Sequence, residues 1–233
     1  MAIHMYSYWK FCQERNETMN LTMPLDTALN VVGRLENQGD YLLGALMLTT
    51  GAKLSDLLKL TVGNLSPGNR TVRGPVSVTV PTELLEDLTA YLTTLRGRYE
   101  ADARSLRLSG FDRQRAGLRW LDMPLFPRDG VHPPKISRKP GAVTHAALRP
   151  AREEADFVST LQQAAFASGW RGRVHSHTLR HVFAQSRVEQ GVPVEALQAD
   201  LGHRDLMTTL LYLQSLTGNG LSFTPAYAAP LAA

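Results

Sequence analysis

The stretch His177–Gln214, HTLRHVFAQSRVEQGVPVEALQADLGHRDLMTTLLYLQ, decides how the chain is read. It holds His177-x-x-Arg180, then Leu201-Gly202-His203, then Tyr212 nine residues beyond that histidine. Short helical segments separate these points. Pro193 suits the first turn of a helix running through Val194, Leu197 and Leu201 to Gly202. Such helices can turn His177, Arg180, His203 and Tyr212 toward one place, and those residue types suit phosphate chemistry. Arginine presents a fork of donors matched to phosphate oxygens. Histidine gives or takes a proton near neutral pH, and tyrosine can act as a covalent nucleophile. No metal ligand set is required. Around these residues, Leu206, Met207, Leu210, Leu211 and Leu213 read as core. His181, beside Val182 and Phe183, reads as a core histidine bonded to backbone, and His175 as an exposed loop residue.

The run H-x-L-R-H, then L-G-H, then T-T-x-x-Y resembles the signature of the tyrosine recombinases, the phage-integrase family of DNA strand-exchange enzymes. The resemblance implies that Tyr212 attacks a DNA phosphodiester, forming a 3′-phosphotyrosyl link and freeing a 5′-hydroxyl, with Arg180, His177 and His203 around the phosphate. It extends upstream: LMLTTGAKLSDLLKLTVGNL resembles the family's first conserved region, where an arginine follows a threonine-glycine turn. Here that position is Lys53. Lysine keeps the charge but is a point donor rather than a planar fork. The family also places a proton-donating lysine on a β-hairpin. The corresponding RTVRGPVSVTVP has none, and Arg73, its nearest basic residue, is a poor proton donor better suited to contacting DNA.

Bulk properties agree with a nucleic-acid partner. The 233 residues carry a net charge of +4 and a pI near 9.4, with 43% apolar and 20% charged residues, the profile of a soluble globular chain. The positive charge is concentrated between Arg96 and Arg152, as expected of a phosphate-tracking surface. The longest nearly apolar stretch, Tyr41–Ala52, is too short to span a bilayer, and no secretory signal pattern opens the chain. A single cysteine, Cys12, excludes an internal disulfide and points to a reducing, cytoplasmic setting.

Residues 1–23 read as a polar leader, with a short helix over Tyr8–Arg15. Asp26 is a candidate cap for a helix through Ala28, Leu29, Val31, Val32 and Leu35. A second helix, about Asp40–Thr50, stops at Gly51, and Ser55 starts a third over Asp56–Leu60. Val76, Val78 and Val80 alternate on a short hairpin turned by Gly74-Pro75. Thr82 or Glu83 opens a long amphipathic helix through Leu84, Leu85, Leu88, Tyr91, Leu92 and Leu95. Met123–Pro127 resembles the family's L-F-P strand segment. A basic loop over about 128–152 follows, holding His132, Lys135, Arg138, Lys139, His145 and Arg149; its length points to function or disorder, and its predominantly positive charge favours a DNA-contacting arm. His132 and His145 lack partners at metal-ligand spacing. Glu153–Gly169 reads as a helix burying Phe157, Leu161, Ala164, Ala165 and Ala167, and Trp170 as a core residue.

The expected fold is therefore mainly α with a small β-hairpin or sheet, the tyrosine recombinase catalytic-domain fold, over 24–214. The same resemblance implies a tail over 215–233 that docks on a neighbouring protomer, with disorder as the alternative. The family resemblance implies strand cleavage and rejoining without cofactor or metal. The candidate catalytic residues are Tyr212, Arg180, His177, His203 and Lys53. The candidate contacts to double-stranded DNA are Arg73, Lys135, Arg138, Lys139, Arg149 and Arg173, and self-assembly on that DNA is expected. Lys53 and the lysine-free hairpin leave an alternative open: a DNA-binding protein of the same fold with a weakened site, or a single-strand nicking and rejoining enzyme.

Overall fold

The computed structural model describes residues 23–66, 71–73, 77–105, 119–128 and 151–217. The leader helix, the Gly74-Pro75 turn, the basic loop from 129 to 150 and the tail beyond 217 lie outside the described residues.

Helix α1, Leu25–Gly33, begins after Pro24, with Asp26 in its first turn rather than at its cap. It buries Ala28, Val31 and Val32 and leaves Leu29 exposed. Asn37 starts α2, Gln38–Thr50, by accepting from the Gly39 and Asp40 amides at 2.8 and 3.2 Å. Almost every α2 residue is buried, so it is the central helix. Gly51 ends it in the left-handed conformation, φ 67°. A single turn, α3 (Leu54–Leu57), follows with Lys53 at its N-cap, earlier than the Asp56 start expected.

Among the described residues the small β component is a three-stranded sheet that extends the expected hairpin by one strand. β1 (Leu65–Ser66) pairs antiparallel with β2 (Thr71–Arg73), which pairs with β3 (Ser77–Thr79). Arg73 stands opposite Ser77 at the hairpin end of β2. Helix α4, Thr82–Ser105, places Leu84, Leu88, Tyr91, Leu95 and Tyr99 in the core, a stripe at helical spacing. Tyr91 completes its burial by donating to the Leu125 carbonyl at 2.9 Å. The Met123–Pro127 segment is extended, but it pairs only through isolated bridges, Thr61 with Pro124 and Pro127 with Ala151.

The second bridge closes the base of the basic loop. The Arg152 amide donates to Phe126 O, and the Arg152 guanidinium meets the buried Asp40 carboxylate at 2.8 Å. Arg128 pairs with Glu153 and Asp156 at 2.6 and 2.9 Å. Two of the arginines in the basic region thus serve the fold.

Helix α5, Glu154–Ala167, buries Phe157, Leu161, Ala164 and Ala165 against α1, while Ala167 is exposed. Trp170 packs on the main core. Three helices complete the chain: α6 (Thr178–Glu189), α7 (Val194–Leu201) and α8 (Leu206–Thr217). Helix α6 joins two cores. Its Leu179 and Val182 belong to the main one, and its Phe183 and Ala184 to a second one with Leu197, Leu201 and Leu213. Of the leucines and methionine expected to be core around Tyr212, only Leu213 is buried; Leu206, Met207 and Leu211 are exposed. Among the described residues helix α8 packs chiefly on α6 and α7, and the residues it turns away from them are exposed.

Candidate active site

The site forms where the C-terminus of α2, the first turn of α6, the end of α7 and one face of α8 meet. Each element delivers its residue for a local reason. Gly202, φ 63°, ends α7 in a Schellman arrangement. The His203 amide donates to Gln198 O at 3.1 Å and the Gly202 amide to Ala199 O at 3.0 Å. The Gln198 side chain then donates to His203 O at 3.1 Å, holding this backbone from both sides. His177 occupies the N-cap of α6, so Arg180 and His181 fall one turn further on. Asp205 caps α8 through the Thr208 amide and hydroxyl, orienting the helix that carries Tyr212.

Arg180 is the hub. It is 3% exposed and spends three donor contacts inside the protein. NH1 donates to Gly51 O at 2.5 Å, and NH2 donates to Leu201 O at 2.7 Å and to His203 Nε2 at 3.0 Å. The ends of α2 and α7 are therefore tied to one guanidinium. Burial lowers the pKa of Arg180, opposed by Tyr212 and Asp56, and a group starting above 12 stays charged.

The contact with Arg180 fixes the His203 tautomer. A guanidinium can only donate, so Nε2 accepts and the neutral ring carries its proton on Nδ1. Nδ1 lies 3.0 Å from the hydroxyl of Thr209, which is fully buried. Burial, then the charges of Arg180 and Lys53, push the His203 pKa down to about 4. His177 is also lowered, first by burial and next by Arg180, although its edge faces solvent.

Tyr212 lies between two imidazoles. The His181 ring stacks on it with centroids 5.3 Å apart and planes at 25°, and the His203 ring meets it nearly edge-on at 5.6 Å and 80°. Its hydroxyl is buried without a hydrogen-bond partner among the described residues. Burial raises the Tyr212 pKa above 10, and the nearby Arg180 charge opposes that rise. At rest the nucleophile candidate is a protonated phenol beside neutral bases.

His177, Arg180, His203 and Tyr212 thus come together. Lys53 is exposed at the rim, where its charge acts on both His177 and His203. Arg173 is exposed on the segment leading into α6. Arg73 is placed only by its backbone on β2, and Lys135, Arg138, Lys139 and Arg149 lie outside the described residues. Two residues acquire roles that their sequence context did not assign. Thr209, visible only as part of T-T-x-x-Y, orients His203. His181 packs on Tyr212, and its buried Nδ1 has no hydrogen-bond partner, contrary to the expected backbone bond.

Together these features define a mainly helical domain in which a buried tyrosine hydroxyl, a buried arginine and imidazoles meet, with a lysine at the rim. Residues 143–218 match the phage integrase family. A tyrosine recombinase of Pseudothermotoga lettingae is 26% identical over 186 residues, which cover 77% of this chain and 50% of that protein. An integrase/recombinase of Escherichia coli is 26% identical over 209 residues, covering 84% of this chain and 60% of that one. The chain therefore spans about half to three-fifths of these relatives' length. The fold is similar to XerA recombinase, with a TM-score of 0.56 at 18% identity over 82% of this chain and 58% of that one. It is also similar to the Tn1549 transposon integrase in complex with transposon right-end DNA, with a TM-score of 0.54 at 13% identity over 84% and 62%. Over residues 143–218 in sequence, and in fold, the chain is thus similar to the tyrosine recombinases, or phage integrases.

Proposed function

We propose that this domain cleaves and rejoins DNA strands through a covalent 3′-phosphotyrosyl intermediate at Tyr212. The observation that carries the proposal is the placement of Tyr212 between His203 and His181, within the electrostatic reach of Arg180. In the reaction the Tyr212 Oη–P bond forms and the P–O5′ bond breaks. The phenolic proton passes to the neutral imidazole of His177, the departing 5′-oxygen takes up a proton from that ring or from water, and His203 hydrogen-bonds the phosphate. Arg180 and Lys53 neutralise the non-bridging oxygens as charge builds there. Energy stays in the phosphotyrosyl bond, so reversal onto another 5′-hydroxyl rejoins the strand without a cofactor.

Double-stranded DNA is the substrate. Lys53, Arg173 and Arg73 extend positive charge beyond the cluster, and the basic loop from 129 to 150 adds Lys135, Arg138, Lys139 and Arg149. Self-assembly on DNA, with the tail beyond 215 docking on a neighbour, accords with the exposed apolar residues Leu206, Met207 and Leu211 of α8. A cytoplasmic setting follows from a DNA substrate. Among the described residues no helix is long and apolar enough to cross a membrane.

A second reading, a DNA-binding protein with a weakened site, is favoured by one observation. The position expected to supply a guanidinium fork supplies the single ammonium of Lys53. Nicked suicide substrates separate the two readings. A covalent protein–DNA adduct that Tyr212→Phe abolishes supports cleavage, and DNA binding with no adduct on a cognate site supports the second reading.

A further inference from the structure

Thr209 departs from the habit of the chain's other helical threonines. Thr49, Thr50, Thr89, Thr93 and Thr160 each donate their hydroxyl to the carbonyl one turn back, at 2.5 to 3.0 Å. Thr208, its neighbour, donates to Asp205. Thr209 is fully buried, and among the described residues its hydroxyl meets only His203 Nδ1, at 3.0 Å. An O–H free of the helix ladder can rotate to donate or to accept.

We propose that Thr209 is a positioning residue whose rotatable hydroxyl lets His203 accept from Arg180 at rest and donate to a DNA phosphate when substrate is bound. The proposal rests on reading the site as a DNA transesterase. At rest Nε2 accepts from Arg180 NH2, and Nδ1–H donates to Thr209 Oγ1. A phosphate oxygen can only accept, so in the complex Nε2 must carry a proton. Nδ1 releases its proton to solvent and Nε2 takes one up, leaving the ring neutral. The Thr209 hydroxyl then turns to donate to the bare Nδ1. A backbone carbonyl in its place could serve only the resting form.

The charged surroundings favour this neutral route. Arg180 from α6 and Lys53 from the turn before α3 face the ring, against Asp205 on its own loop, and Tyr212 on α8 is uncharged at rest. With the ring held near pKa 4, exchange between neutral tautomers costs less than forming imidazolium between two cations.

The test compares wild type with Thr209→Val, which keeps the shape and removes the hydroxyl, and Thr209→Ser, which restores it. In histidine-labelled free protein, ¹⁵N spectra should show His203 protonated on Nδ1 in wild type and Thr209→Val alike, because Arg180 holds Nε2 as an acceptor; in the DNA complex of the Tyr212→Phe background the proton should move to Nε2, and Thr209→Val should impair that move. On suicide DNA, Thr209→Val should form adduct about 10- to 100-fold more slowly, the effect of stranding one buried polar group. Thr209→Ser should recover most of that rate. Non-covalent DNA affinity, measured in the Tyr212→Phe background, should fall for Thr209→Val by much less than the adduct rate, since one phosphate contact among many is weakened, and should be recovered by Thr209→Ser. A Thr209→Val protein whose His203 moves its proton to Nε2 on DNA as wild type does, or that forms adduct at the wild-type rate, overturns the proposal. If wild type itself forms no adduct, the transesterase reading fails, while the spectra of the DNA complex still decide whether Thr209 supports the tautomer exchange.

Discussion

Gly51 is the position where backbone, packing and chemistry meet, and its replacement by alanine has a predictable outcome. Its φ of 67° lies in the left-handed region, which costs a residue with a Cβ roughly 1–2 kcal/mol. A Cβ there would also lie far inside van der Waals contact with two ring carbons of Phe183, a buried member of the second core. Forcing an extra carbon into a packed core typically costs about 1–3 kcal/mol. Together these give about 2–5 kcal/mol, and at about 2–4 °C per kcal/mol for a chain of this size the Tm should fall by about 4–20 °C. Gly51→Asn separates the two contributions, because asparagine tolerates the left-handed region but brings the same Cβ. It should lose the packing part and little of the backbone part. Phe183→Leu should return part of the loss in the Gly51→Ala background, a coupling that a double-mutant cycle measures. The chemistry should suffer as well, because Gly51 O is one of the acceptors holding Arg180. Thermal unfolding monitored by circular dichroism reads the stability change. A Gly51→Ala protein melting within about 1 °C of wild type would refute the reasoning.

Lys53→Arg should raise the adduct rate on suicide DNA by up to about 10²- to 10³-fold, the size of one transition-state donor, whereas Lys53→Ala should lower it; equal rates for all three would remove Lys53 from the site. Asp40→Asn leaves the Arg152 guanidinium buried without its counter-charge and should cost about 3–5 kcal/mol in chemical denaturation, with cleavage of the basic loop by protease accelerated. His181 is buried as a neutral ring with its pKa pushed down to about 4 by burial and then by the His177 and Arg180 charges. Its folded-state pKa lies below the ordinary 6.5, so its contribution is complete above pH 6.5 and is lost as pH falls toward 4, by up to about 3 kcal/mol. His181→Phe, which keeps a ring against Tyr212, should flatten stability over that range, and an unchanged slope would show that His181 titrates normally.

Much of this architecture was legible because it rests on short-range rules. Gly51 and Gly202 end helices where left-handed caps are needed, and the alternating residues around β3 and the apolar stripe of α4 mark their elements by periodicity. His177, Arg180, His203 and Tyr212 could be named because their spacing resembles a known signature, and the structure brings them together. What sequence patterns miss is set by distant partners. Leu206, Met207 and Leu211 look like core in a one-dimensional pattern, yet among the described residues α8 packs chiefly on α6 and α7 and leaves these three exposed. Arg152 reads as part of a DNA-facing basic region, but Asp40, more than a hundred residues earlier, takes it into the fold. The third strand β1 is two residues long and exists only through its pairing with β2. Thr209 carries no local mark of its role, because the partner that defines it arrives from the end of α7.

The central claim concerns one bond. A suicide DNA substrate labelled on the strand 5′ to the break, trapped with the protein and then digested with nuclease and protease, reports by mass spectrometry which residue holds the phosphate and which DNA end it carries. The account predicts a 3′-phosphoryl group on Tyr212 and a free 5′-hydroxyl on the other fragment. A phosphate on any other residue, or a 5′-phosphoryl linkage, would contradict it.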